Sequence, residues 1–170
     1  MRLQKVFIVI LFIFSLAICY ATSSHAAYIS HVRNATDAPL VAHTAIYIPD
    51  HTEILMMAKL TYGEARGCSE RQRAAVCWNV LNRVDAPEWP DTVSGVITDT
   101  KYGIQYAGWS ASHPVTDALL DLAYEVTNQW VAERLGYESN RALPKEYTYF
   151  TGNGRVNTFR TQDGQIWRET

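Results

Sequence analysis

The stretch Leu60-Thr-Tyr-Gly-Glu-Ala-Arg-Gly67, followed at once by Cys68-Ser-Glu-Arg-Gln72, decides how the chain is read. Upstream of it, Leu55, Ala58 and Tyr62 recur at helical spacing, and Asp50 with Glu53 three residues on forms a capping pair, so a first helix is predicted from about residue 50. Gly63 and Gly67 loosen its end. A second helix starts at Ser69, with Gln72 three residues later, and carries Ala74, Cys77, Trp78, Leu81 and Val84 on one side before stopping ahead of Pro87. Glu64 therefore stands at the junction of two helices, at the end of a largely apolar one. There the helix dipole and partial burial both disfavour its ionised form, which suits a general acid. The plainer alternative is that Glu64 and Arg66 pair at a helix end.

Working outward, the segment 85–90 is a Pro-bounded turn, and Asp91 or Thr92 caps a short helix through Val96 and Ile97. Residues 101–110 read as a loop or short hairpin. Leu119, Ala123, Val126 and Trp130 predict the longest helix, from about Thr116 to Leu135, with Gly136 as its C-terminal cap. After it, residues 146–151 alternate as a strand, Gly152-Asn-Gly154 turns, and residues 155–160 return. Helices followed by a small hairpin predict an α+β domain over residues 51–170. Residues 28–50, broken by Asn34, Asp37, Pro39 and Pro49, read as an extended lead-in.

Residues 1–27 are set aside from the fold. Arg2 and Lys5 precede an apolar run over 6–19 and small residues at Ala26 and Ala27, the layout of a signal peptide. An uncleaved N-terminal membrane anchor is the other reading. The protein is thus expected outside the cytoplasm, periplasmic or extracellular, soluble after processing or tethered to the membrane. With 15 Lys plus Arg against 17 Asp plus Glu, the net charge of −2 gives no basic surface for nucleic acid. A 48% hydrophobic content suits one core, and a monomer is expected.

Cys68 and Cys77 lie on the order of 13 Å apart if helical, beyond disulfide reach, so two unpaired thiols with Cys77 buried are expected. His43, His51 and His113 show no metal-ligand spacing and read as solvated histidines, with no metal or organic cofactor implied.

The segments Tyr62-Gly-Glu-Ala-Arg-Gly67, Val80-Leu-Asn-Arg-Val84, Val93-Ser-Gly-Val-Ile97, Gln105-Tyr106 and Tyr149-Phe-Thr-Gly-Asn-Gly154, with Asn157 and Phe159, together resemble the signature of the SleB-type cell-wall hydrolases, the family of spore cortex-lytic enzymes and related phage and bacterial proteins. The resemblance implies a compact lysozyme-like, resuscitation-factor-like fold. It implies cleavage of peptidoglycan glycan strands between N-acetylmuramic acid and N-acetylglucosamine, as a lytic transglycosylase or muramidase, with Glu64 as the single essential carboxylate. Gln105, Tyr106 and Tyr149 are assigned to substrate binding on this basis, sugar rings suiting aromatic faces. Asn82 and Arg83 either hold the Glu64 loop, line the cleft, or merely cap their helix. Cys68 stands where many relatives carry a second Glu, and Gly63 where many carry Ala. Two other functions stay open: an amidase releasing stem peptides, which would need a metal, and a non-catalytic peptidoglycan-binding protein.

Overall fold

Asp50 accepts the backbone N–H of Glu53 on its Oδ1 at 2.9 Å, and Glu53 returns a bond to the Asp50 N–H at 3.3 Å, so a capping box starts helix α1, His51–Ala65. The structure, a computed structural model, describes residues 46–101, 103–152 and 155–169. The expected leader and all of the lead-in up to residue 45 lie outside the described residues. The end of the lead-in is built into the fold: Tyr47 hydrogen-bonds Glu53 at 2.6 Å, accepts the Val93 N–H at 2.9 Å and sets its ring edge-on to Trp130.

Three more helices follow, each begun by the hydroxyl that the sequence offers. Ser69 caps α2, Glu70–Asp85, by accepting from Gln72; Thr92 caps α3, Val93–Thr98; Thr116 caps α4, Asp117–Arg134. Each such cap stabilises its helix by about 1 kcal/mol. At the end of α4, Gly136 takes φ +88°, and the Tyr137 and Gly136 N–H groups bond back to Ala132 and Glu133. That is the left-handed stop that glycine permits.

Helix α1 packs against the other three, and α2 packs against α3 and α4. Met57 and Leu60 from α1, Trp78 and Leu81 from α2, and Trp130 from α4 are all within 1% of full burial. Burying such side chains contributes about 1.5–3 kcal/mol each. The α2 stripe is buried at Cys77, Trp78, Leu81 and Val84, while Ala74 lies at its half-buried edge. Strands β1, Tyr149–Gly152, and β2, Asn157–Arg160, pair antiparallel with Tyr149 opposite Arg160 and Gly152 opposite Asn157. Phe159 anchors the hairpin in the core between Phe150 and Trp167. Four helices and a C-terminal two-stranded sheet make the domain α+β. Cys68 and Cys77, the cysteines among the described residues, are unpaired; Cys77 is fully buried, which pushes its thiol up to about 11.

The hairpin is shorter than the alternation predicts. Residues 146–148 do not enter the strand, because side chains of α2 take their carbonyls: Asn79 and Asn82 donate to Tyr147 O at 3.0 and 3.2 Å, and Arg83 Nε donates to Thr148 O at 2.7 Å. A backbone so satisfied has no need of a ladder partner. Similarly, the segment 101–110 is a loop whose only described pairing is the isolated bridge between Lys101 and Gly103.

Candidate active site

Glu64 occupies the last turn of α1 and is 6% exposed. Its Oε1 accepts the Gly108 N–H at 2.7 Å. Burial pushes its carboxyl above the ordinary glutamate value, and the Gly108 N–H pulls against that by favouring the anion. Arg66 does not neutralise it: its guanidinium turns back to the Gly63 carbonyl at 3.4 Å and lies over the Tyr62 ring. The pairing of Glu64 with Arg66 offered by the sequence is therefore not formed.

The carboxyl can sit this close to the loop before α4 because two glycines meet there. A Cβ on Gly63 would fall 1.8 Å from the Gly108 carbonyl oxygen, and one on Gly108 would fall 2.9 Å from Glu64 Cδ. Neither contact is tolerable, so backbone packs directly on backbone. On the other side, Gly152 of β1 comes close to the acid: a Cβ there would be in ordinary contact with Glu64 Oε2 at 3.5 Å, but would press on Asn157 Oδ1 at 2.5 Å.

Glu64 lines a cleft of about 210 Å³ with Ile104, Gln105, Ala107, Phe150 and Thr151. It is the single carboxylate among the described residues that line it. Gln105 also borders a neighbouring hollow of about 610 Å³ formed with Glu88, Trp89, Tyr149 and Gln162. Tyr149 is 37% exposed there and sets its ring edge-on to Trp89 at 6.2 Å. Glu88 and Gln162 in turn border a polar hollow of about 820 Å³ reaching Lys145, Glu146 and Asp163. A groove with shared walls thus leads away from Glu64, with amides, an aromatic face and then charges along it.

The structure brings Gln105 and Tyr149 to this groove with Glu64, and corrects three other expectations. Tyr106 is 2% exposed, donates its hydroxyl to Asn79 Oδ1 at 2.8 Å and packs against Phe150, and burial pushes its phenol up to about 12. Arg83 is sandwiched between Trp89 and Tyr106, its guanidinium 4.1 and 4.7 Å from their ring centres. Asn82 donates to Pro144 O at 2.7 Å and accepts from Arg141. All three are interior braces, at most 2% exposed. Arg83 also accepts the C-cap Ala86 N–H on its carbonyl at 3.0 Å, and the side chains of Asn82 and Arg83 hold the segment leading into β1. The groove-lining Trp89 and the bracing Asn79 escape the sequence reading, while Phe150 and Thr151 lie in the quoted segment without an assigned role. Asn79 had a signal: three positions before Asn82, it is a second amide on an otherwise apolar helix face.

Among the described residues, no three His, Cys, Asp or Glu side chains gather as a metal-holding set. No helix of the described residues is long and apolar enough to cross a membrane.

No family model matches the chain. It is 49% identical over 45 residues to the spore cortex-lytic enzyme of Halalkalibacterium halodurans, covering 26% of this chain and 14% of that one. It is 33% identical over 78 residues to the spore cortex-lytic enzyme of Oceanobacillus iheyensis, covering 46% of this chain and 28% of that one. Over these segments the chain is similar to spore cortex-lytic enzymes. It spans well under a third of the length of these curated relatives. Among solved structures, the catalytic domain of the Bacillus cereus SleB protein aligns with 66% of this chain and 80% of its own, at 24% identity and a TM-score of 0.47.

Gly63 and Cys68, the two departures from the resemblance, have a structural setting. Gly63 is the residue over which the Gly108 carbonyl closes. Cys68 is half-buried, its thiol donating to Arg155 O at 3.3 Å with the Asn157 amide at 3.9 Å.

Proposed function

We propose that this chain is an exported enzyme that cleaves the glycan strands of peptidoglycan between N-acetylmuramic acid and N-acetylglucosamine, as a lytic transglycosylase, with Glu64 as its catalytic acid. The observation that carries this reading is a buried carboxyl, the single one among the described residues lining its cleft, pushed upward by burial at the wall of a groove. Kinship with spore cortex-lytic enzymes supports the substrate class.

In its protonated form such a carboxyl can give its proton to the leaving glycosidic oxygen as the bond breaks. Glycosidases with two carboxylates use the second either as nucleophile or to activate water. A transglycosylase needs neither, because the muramic acid's 6-hydroxyl attacks its own anomeric carbon and closes a 1,6-anhydro ring. Glu64, now ionised, takes the proton that this hydroxyl loses and is ready for another turn. The cleft, with Glu64 as its single carboxylate among the described residues, suits that route. Gln105 stands beside the acid to hydrogen-bond a sugar, and Tyr149 offers a ring face further along.

Incubating the chain and its Glu64→Gln variant with purified sacculi, then weighing the products, tests the proposal. Anhydro-muramic products from the wild type alone are expected. Reducing muramic ends would replace the sugar hydroxyl by water, and free stem peptides or an active E64Q would remove the glycosidase reading altogether.

A further inference from the structure

His113 was expected to be a solvated histidine. In the structure it is half-buried, its ring tilted against Tyr62 at 5.3 Å, and its Nε2 lies 2.9 Å from the Gly108 carbonyl oxygen. A carbonyl only accepts, so Nε2 carries the proton in this contact. Gly108 is therefore held at both ends: its N–H is on Glu64 Oε1 at 2.7 Å and its C=O is on His113.

The ring is itself fixed. The His113 N–H bonds Ser110 O at 3.2 Å, the Ser110 and Ser112 hydroxyls bond each other, and Lys59 Nζ clamps Ala111 O at 2.7 Å to α1. Pro114 restricts the backbone of His113 to extended conformations. Gly63, having no side chain, lets the Gly108 carbonyl reach over α1 to the imidazole; a Cβ there would lie 2.9 Å from Nε2.

We propose that His113 is a positioning residue for the acid: by donating Nε2–H to the Gly108 carbonyl, it holds the Gly108 N–H on the Glu64 carboxyl and fixes the direction of the proton that Glu64 gives. This inference rests on the glycosidase reading above. The other titratable groups around the junction are Lys59, Tyr62 and Arg66 on α1, Tyr106 on the loop, and Arg83 from α2 beneath Tyr106. His113 acts here through its hydrogen bond and packing.

The test compares His113→Leu, which keeps the bulk against Tyr62 but cannot donate, with His113→Gln, which can. The readouts are the pH profile of turnover on purified peptidoglycan and the melting temperature. A general acid works while protonated, so turnover falls on the alkaline side as Glu64 ionises. Without the Gly108 N–H, the anion loses the hydrogen bond that the described residues give it, and H113L should move that limb to higher pH. Turnover should fall by up to about 100-fold, the scale of an ångström's misplacement of a reacting group. H113Q should return both toward wild type. An unmoved limb in a folded H113L, or a limb moved to lower pH as by a carboxyl opened to water, overturns the inference. Should H113L fail to fold, the Gly108 amide signal decides: it should follow the Glu64 titration in the wild type and in H113Q, and its indifference to that titration overturns the inference. E64Q separates the two levels, since an active E64Q sinks the glycosidase reading, whereas an inactive E64Q with an unmoved H113L limb sinks only the role of His113.

Discussion

Replacing Arg83 by Met should cost stability first and activity second. The guanidinium is 1% exposed, donates Nε–H to Thr148 O at 2.7 Å, and lies between two rings at 4.1 and 4.7 Å. A hydrogen bond from a charged group contributes about 1.5–3 kcal/mol, and each desolvated cation–ring contact up to about 2 kcal/mol. Against these stands the penalty of keeping a cation out of water, which Met relieves, while the stranded Thr148 carbonyl adds a cost of its own. The net is a destabilisation of about 2–3 kcal/mol, or roughly 8–12 °C in Tm for a unit of this size. Arg83→Lys should recover little, because an ammonium keeps the charge without the planar face that stacks between Trp89 and Tyr106. Thermal unfolding followed by circular dichroism measures the first effect. Activity on sacculi well below Tm, normalised to folded protein, measures the second. A fully stable R83M with collapsed activity would refute the reasoning, for it would mean that Arg83 meets the substrate directly rather than bracing the entry to β1.

Gly63→Ala should destabilise by about 1–3 kcal/mol, as overpacking does, and depress activity, because the new methyl cannot coexist with the Gly108 carbonyl at 1.8 Å; Tm and turnover both at wild-type level would show that the loop yields without loss. Glu64→Gln should raise stability in a pH-dependent way. Burial lifts the Glu64 carboxyl, so the folded chain holds that proton more tightly than the unfolded one, and the stability this contributes is present below the ordinary glutamate range and lost as pH rises through the raised value. The Tm advantage of E64Q should accordingly be absent in acid, grow across that window and level off above it; a constant difference at every pH would contradict the burial argument.

Much of the fold was legible because its signals are local. Asp50, Ser69, Thr92 and Thr116 each announce a helix start through one side chain and one N–H, and Gly136 announces a stop through its own φ. The start of β1 was not legible, since the alternation at 146–148 is overridden by Asn79, Asn82 and Arg83, more than sixty positions earlier in the chain. The site divides in the same way. Glu64 is marked by what flanks it, an apolar helix and glycines. Whether Gln105 or Tyr106 faces the groove depends on which neighbour the loop rests upon: the Asn79 amide draws the Tyr106 hydroxyl inward and leaves Gln105 at the cleft. His113 gave no spacing signal at all, because its partner is the backbone of a glycine, and a backbone oxygen looks the same at every position of a sequence.

The three strands of chain that meet at Glu64 are far apart along the polypeptide: the end of α1, the loop at Gly108, and β1 at Gly152. Until the last of these is synthesised and folded into place, residue 64 is an ordinary solvated glutamate, ionised at neutral pH. A nascent or unfolded chain therefore lacks the raised carboxyl, and the acid that the proposed glycosidase would use comes into being only with the completed fold.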